Sequence, residues 1–277
     1  VYAILVVVFL IVFFPLMYVV STSFASAREL ALNKFLIFPK HPTLEVYQYI
    51  FSTSTFLRSM IVTIVITVVG TLVNLVMTCL MAYPLSRKAL PGRSVIMTAV
   101  TFTLVFSGGM IPMYLVVNSL GLIDTYTSLI LPGAISSFNL ILVKNFFQEI
   151  PESLIDAAQI DGSSEMNTLA RIVLPLSKPA LATFTMFYAV GHWNQFMQPL
   201  LYLNDSKKWT IQILLRQIVL MSQSGVGDED AMPPGFVLPV KSLKMACIVV
   251  STLPIIAAYP FMQKYFDKGV MSGSIKG

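Results

Sequence analysis

The sequence predicts an all-α, polytopic membrane protein. Of its 277 residues, 56% are hydrophobic and only 11% are charged, and the mean hydropathy is +0.79. Soluble domains carry roughly 25% charged residues. The apolar residues gather in blocks of about 20, the length a helix needs to cross about 30 Å of hydrocarbon. Within each block the apolar run is continuous rather than alternating, which argues against the strands of a barrel.

Six spans follow in order. The first, 1–20 (VYAILVVVFLIVFFPLMYVV), is apolar throughout and holds Pro15. It opens the chain with no cleavable leader, which points to native residues ahead of Val1. The second covers 59–83, and the third covers 94–117 with Pro112. The fourth covers 127–147 with Pro132, the fifth 179–203, and the sixth 243–261 with Pro254. Prolines are tolerated inside membrane helices and predict kinks. Cys79 and Cys247 lie within apolar blocks and read as small buried hydrophobes rather than a disulfide.

Residues 1–277 thus form one transmembrane domain, and the loops set its orientation. The short connection 84–93 (PLSRKALPGR) carries Arg87, Lys88 and Arg93 and no acid. The positive-inside rule places such a loop in the cytoplasm. Both termini, the segment at about 149–178 and the tail at about 262–277 then lie inside. The long loops at about 21–58 and 204–241 lie outside. Net charge is +5, which on a membrane protein reflects orientation and contact with anionic lipid, not nucleic acid.

The segment 149–178 is polar in an otherwise apolar chain. Pro151 suits the first turn of a helix, and Gly162 sits where a C-terminal cap belongs. Ser163 or Ser164 caps a second helix with Glu165 in its first turn, and Pro175 is expected to end it. Leu169, Ile172 and Val173 form an apolar stripe on that helix. Ala157, Ala158 and Gly162 make a small face that allows close approach by another surface. From the residues alone, a surface linker fits as well as a docking element.

The spacing also resembles a known signature. Asp156-Ala157-Ala158, Gly162 and Ile172-Val173-Leu174-Pro175 match the EAA motif of permease subunits of binding-protein-dependent ABC importers. Asp156 in place of Glu is the sole departure. The tail QKYFDKGVMSGSIKG and the run GHWNQFMQPLLYLND resemble the maltose-type carbohydrate branch, including its alginate- and polygalacturonate-type subunits. The resemblance implies the type I ABC importer fold and a location in the bacterial inner membrane. It makes 149–178 the coupling helix segment, docked on a cytoplasmic ATPase through Asp156, Ala157, Ala158, Gly162, Ile172, Leu174 and Pro175. It brings the tail, through Gly273, Lys276 and Gly277, to the ATPases. It further implies a homologous second permease subunit, two ATPase subunits that bind ATP and magnesium, and an extracytoplasmic solute-binding protein. This chain itself would hold no cofactor, and its cargo would be a sugar, most simply an oligosaccharide.

Polar residues inside the spans are candidates for the path of that cargo, because polar groups in hydrocarbon usually face a cavity or another helix. Asn139, Trp193, Asn194 and Gln195 combine an aromatic face with side-chain amides, which suits a sugar. His192, Asn74, Ser136, Ser137 and Gln198 belong to the same polar set. Hydrogen bonding between helices explains any one of them equally well. The acids Asp228, Glu229 and Asp230 in GVGDEDAMPPG read as a solvated loop.

Other function classes fare worse. The chain has no G-x-x-x-x-G-K-[ST] loop for ATP and no H-E-x-x-H or G-x-S-x-G motif. An ion-coupled transporter normally needs acids within its spans, and the six predicted spans hold no Asp or Glu. A permease for a non-sugar solute is the nearest alternative.

Overall fold

The computed structural model of the chain describes residues 2–32, 38–224 and 240–274. The described residues form helices α1 (Tyr2–Ser23), α2 (Ala27–Leu32), α3 (Glu45–Ser52), α4 (Ser54–Ser86), α5 (Arg93–Val105) and α6 (Met110–Ser119). Two short 3-10 turns, Tyr126–Leu129 and Leu131–Gly133, precede α7 (Ser137–Gln148). There follow α8 (Glu152–Ile160), α9 (Glu165–Thr168), α10 (Leu174–Leu176), α11 (Lys178–Trp193), α12 (Met197–Tyr202), α13 (Ile211–Ser224) and α14 (Val240–Ser274).

Three helices are individually long and apolar enough to cross a membrane: α1, α4 and α14 through Pro260. The count reaches six when three bent pairs each serve as one span. The predicted span 94–117, where Pro112 predicts a kink, is broken more sharply and ahead of that proline: α5 and α6 meet at 118°. The chain breaks at Phe106–Gly109, where Gly109 takes φ +86°, a conformation favourable only to glycine. In the fourth span the 3-10 segment and α7 meet at 52°, with Pro132 in the segment. The fifth span is shorter than predicted. α11 stops at Trp193, and a break over 194–196 separates it from α12.

Two compact units make up the chain. One comprises Val1–Val62 and Trp209–Ala257. Its core joins Val46 and Ile50 of α3 to Phe56, Ile211, Ala246, Cys247 and Val250. Ser23 shares a 2.6 Å hydrogen bond with the Tyr47 hydroxyl, and the Ser242 hydroxyl donates to the Ala25 carbonyl at 2.8 Å. The predicted loop 21–58 thus contains ordered helices, and α13 emerges from the predicted loop 204–241. Most of α1 is exposed on every side, as expected of a helix that meets lipid or another subunit.

The other unit comprises Thr63–Lys208 and Ala258–Gly277. Its core packs Tyr83 and Leu85 at the end of α4 against Leu140, Val143 and Phe147 of α7, with Leu169, Val173 and Phe184 closing it. Arg93 Nε donates to the Leu85 carbonyl at 2.8 Å and Gln148 Nε2 to the Ser86 carbonyl at 3.3 Å. These bonds satisfy carbonyls that the end of α4 leaves without helical partners. The core therefore fixes the polar end of the unit, from which the 149–178 segment projects. Cys79 and Cys247 are both free and buried.

Candidate coupling and translocation sites

Local chemistry explains the 149–178 segment residue by residue. Pro151 occupies the N-cap of α8 with extended backbone, φ −53° and ψ 127°. At the other end Gly162 takes φ +78°. The Ser163 N–H bonds the Ala158 carbonyl at 2.9 Å, and the Gly162 N–H bonds the Gln159 carbonyl at 3.0 Å. That pair of bonds is a Schellman cap, which requires the left-handed residue that glycine supplies. Ser164 then caps α9 by accepting from the Asn167 N–H, and Ser163 Oγ accepts from Asn167 Nδ2 and Thr168 Oγ1.

A further tie was not evident in the sequence. Glu165 accepts from the Tyr83 hydroxyl at 2.6 Å through one carboxylate oxygen and from Gln159 Nε2 at 2.9 Å through the other. One carboxylate thus links α4, α8 and α9. Glu165 is visible in the sequence only as a first-turn acid, because its partner lies 82 residues away.

The predicted contact face changes in detail. Ala157, Asp156 and Gly162 are exposed, but Ala158 and Ile155 turn inward and are buried. Leu154, Ile160 and Met166 are the apolar side chains that face outward, and Ile160 is 86% exposed. The open surface is therefore Ala157, Ile160, Gly162 and Met166, with Asp156 beside it. Helical spacing sets this outcome: positions 155 and 158 share one face and 157 and 160 another.

The second half of the motif serves the core rather than the surface. Val173 is buried, Leu174 packs against the core and Ile172 is half-buried. Pro175 does not end the helix as predicted. The chain forms a π-helical turn at Leu169–Val173, continues through α10 to Leu176, and bends by 87° at Ser177 into α11. A π turn before Pro175 is physically reasonable, because the ring lacks an N–H and crowds the carbonyl four residues back. Gly273 lies in the last turn of α14, whereas Lys276, Gly277 and the 225–239 stretch with Asp228, Glu229 and Asp230 lie outside the described residues.

The path candidates separate. Gln195 lines a cavity of about 330 Å³ with Gln198, Tyr202, Ser107, Ser128 and Met113, and its Nε2 donates to the Leu129 carbonyl at 3.2 Å. Trp193 is buried in packing, Asn194 is exposed at the end of α11, and Asn139 is buried in the first turn of α7; none of the three lines that cavity. His192 ties helices together: its Nε2 lies 2.9 Å from Asn74 Oδ1, and Asn74 Nδ2 donates to the Gly133 carbonyl at 2.7 Å. The ring lies so close to Gly70 that a Cβ there would sit 2.5 Å from it.

Lys144 is the residue the sequence reading passed over. It lies within the fourth span, is only 8% exposed, and lines a second cavity with Arg93. A lone lysine inside an apolar block is itself a signal, since charge at that depth is costly.

Comparison with known proteins agrees with this architecture. Residues 75–272 match the family described as binding-protein-dependent transport system inner membrane component. The chain is 55% identical to protein LplC of Bacillus subtilis (strain 168), over 95% of this chain and 89% of that one. It is 50% identical to the polygalacturonan/rhamnogalacturonan transport system permease protein YtcP of the same organism, over 100% and 97%. Among solved structures, a bacterial ABC transporter involved in import of the acidic polysaccharide alginate matches with TM-score 0.89 and 31% identity, covering 96% of this chain and 95% of that one. The bent spans, the capped polar segment and these matches together identify the chain as a member of the binding-protein-dependent transport system inner membrane components, with the type I ABC importer fold.

Proposed function

We infer that this permease subunit forms half of the translocation path of an importer for oligosaccharides and that its 149–178 segment docks on a cytoplasmic ATPase. The observation that carries the reading is the outward apolar face of that segment, above all Ile160 at 86% exposed. With Met166 and Leu154 also exposed, it gives an otherwise polar element an outward apolar surface, the kind that marks an interaction site. The sugar cargo rests on the kinship with YtcP and with the alginate importer.

In this reading a homologous permease supplies the other half of the path, two ATPases bind and hydrolyse ATP with magnesium, and a solute-binding protein delivers the sugar. This chain binds no cofactor of its own. It lies in the bacterial inner membrane with both termini and the coupling segment inside. Gln195, one of the predicted path residues, lines its cavity with Gln198. Asp156, Ala157 and Gly162 belong to the docking surface, and Ile172, Leu174 and Pro175 hold its base. The tail residues Gly273, Lys276 and Gly277 reach the ATPases.

The test is Ile160→Asp in the complete complex. Loss of ATPase co-purification and of sugar uptake, with the two permease subunits still paired, is the expected result. Normal assembly and uptake in that variant sink the docking role. Uptake of a non-sugar solute by the wild-type complex, with no sugar carried, replaces the cargo but keeps the class.

A further inference from the structure

Besides the Gln195 cavity, a groove runs along α5 and holds two cations that no described carboxylate pairs. Lys144 projects from α7, Arg93 opens α5, and both line a cavity of about 620 Å³. Among the described residues the ion pair formed is Asp124 with Lys208, so no described carboxylate neutralises either groove cation. Arg93 spends Nε on the Leu85 carbonyl, which leaves its terminal nitrogens as donors. A lysine that is 8% exposed in a span, with no counter-ion, calls for an anion.

The remainder of the lining says which anion. Thr98 and Thr101 place hydroxyls along the groove, and the Thr101 hydroxyl donates to the Met97 carbonyl, which leaves its lone pairs to accept. Phe102 and Phe106 stack with ring centroids 4.6 Å apart and are more than half exposed. Cations, hydroxyls and open ring faces in one groove complement a sugar that carries carboxylates. An acyl chain would leave the hydroxyls idle, and a neutral sugar would leave the cations unneutralised. The volume falls in the range of about 300–1,000 Å³ usual for small-ligand sites.

We propose that this groove binds acidic oligosaccharides, with Lys144 and Arg93 receiving uronate carboxylates and thereby selecting charged over neutral sugar. The assignment rests on the sugar-cargo reading above and adds the chemical class of that cargo.

The experiment measures binding of a galacturonate trimer, and of its methyl ester, to the purified permease–ATPase complex without the solute-binding protein. The ester keeps the rings and hydroxyls and removes the charge. Wild type is expected to bind the acid at least about tenfold more tightly than the ester, in keeping with charge-assisted hydrogen bonds. Lys144→Gln abolishes that preference and Lys144→Arg retains it, with basal ATPase activity as the check on folding. Equal binding of acid and ester by wild type, no binding of either, or an unchanged preference in Lys144→Gln overturns the proposal. Retention of phosphatidylglycerol that Lys144→Gln loses, with no acid preference, reassigns the groove to lipid. Parallel uptake assays separate the two readings: no sugar uptake at all removes the cargo, whereas uptake without acid preference removes this inference alone.

Discussion

Gly162 and Gly70 are both glycine for necessity, but for different reasons. At Gly162 a Cβ would meet open space, and only the φ of +78° forbids it. Gly162→Ala should therefore strain the Schellman cap by about 1–2 kcal/mol while leaving Ile160 and Met166 exposed. At Gly70 the backbone is ordinary and the obstacle is the His192 ring, 2.5 Å from the added carbon. Gly70→Ala should cost about 1–3 kcal/mol by overpacking, and His192→Ala in the same chain should recover part of it. Thermal unfolding of the purified complex measures both. A double variant no better than the sum of its singles would show that the ring is not the obstacle. Gly162 was legible because a glycine after a helical run has a local meaning. Gly70 was not, since its reason lies 122 residues further along.

At the level of elements, two polar loops are latched by a single acid. Asp124 holds φ 58°, the left-handed region, among described residues otherwise populated there by glycine. Its Oδ1 accepts from the Asn204 and Asp205 N–H groups, while Lys208 Nζ reaches both its Oδ2 and its carbonyl at 2.6 Å. The Lys208 hydrogen bond, helped by those backbone N–H groups, holds the Asp124 carboxyl below the usual carboxylate range. The same bond raises Lys208 above the ordinary lysine value. A depressed acid stabilises the fold above its unfolded pKa of about 3.9 and loses that contribution as pH falls through its folded value. The raised lysine contributes below about 10.4 and loses its share as pH climbs past its own folded value. The latch should accordingly hold through neutral pH and open in strong acid. Asn tolerates the left-handed conformation, so Asp124→Asn isolates the charge: its thermal midpoint should vary less with acid pH than that of wild type. An identical pH profile for the two would remove the latch. Nothing in the sequence pairs Asp124 with Lys208, because both sit in polar loops where charges are expected.

At the level of the whole chain, continuous apolar blocks made the spanning segments legible, and their prolines foretold kinks, but the place and sharpness of the breaks stayed hidden. Hydropathy averages over a break, so Ser107-Gly108-Gly109 disappears into an apolar window although the backbone turns by 118° beside it. Inward and outward faces of the 149–178 segment were hidden for the related reason that exposure depends on tertiary packing, which buries Ile155 and Ala158. Orientation is testable on the intact complex, because Cys79 and Cys247 are buried and give little background. A cysteine at Lys88, exposed in the basic loop, should react with a membrane-impermeant maleimide only in inside-out vesicles, and one at Asn204 only from the opposite side. Reversed labelling would invert the topology. The right-angle bend at Ser177 has a mechanical consequence for all of this. The arm from Glu165 to Leu176 and the 16-residue α11 meet at 87°, the geometry of a bell crank. At about 1.5 Å per residue α11 is about 24 Å long, so a rotation of about 10° at the elbow sweeps Trp193 through roughly 4 Å. A small tilt of the arm is thereby carried to the far end of α11 as a stroke of several ångströms.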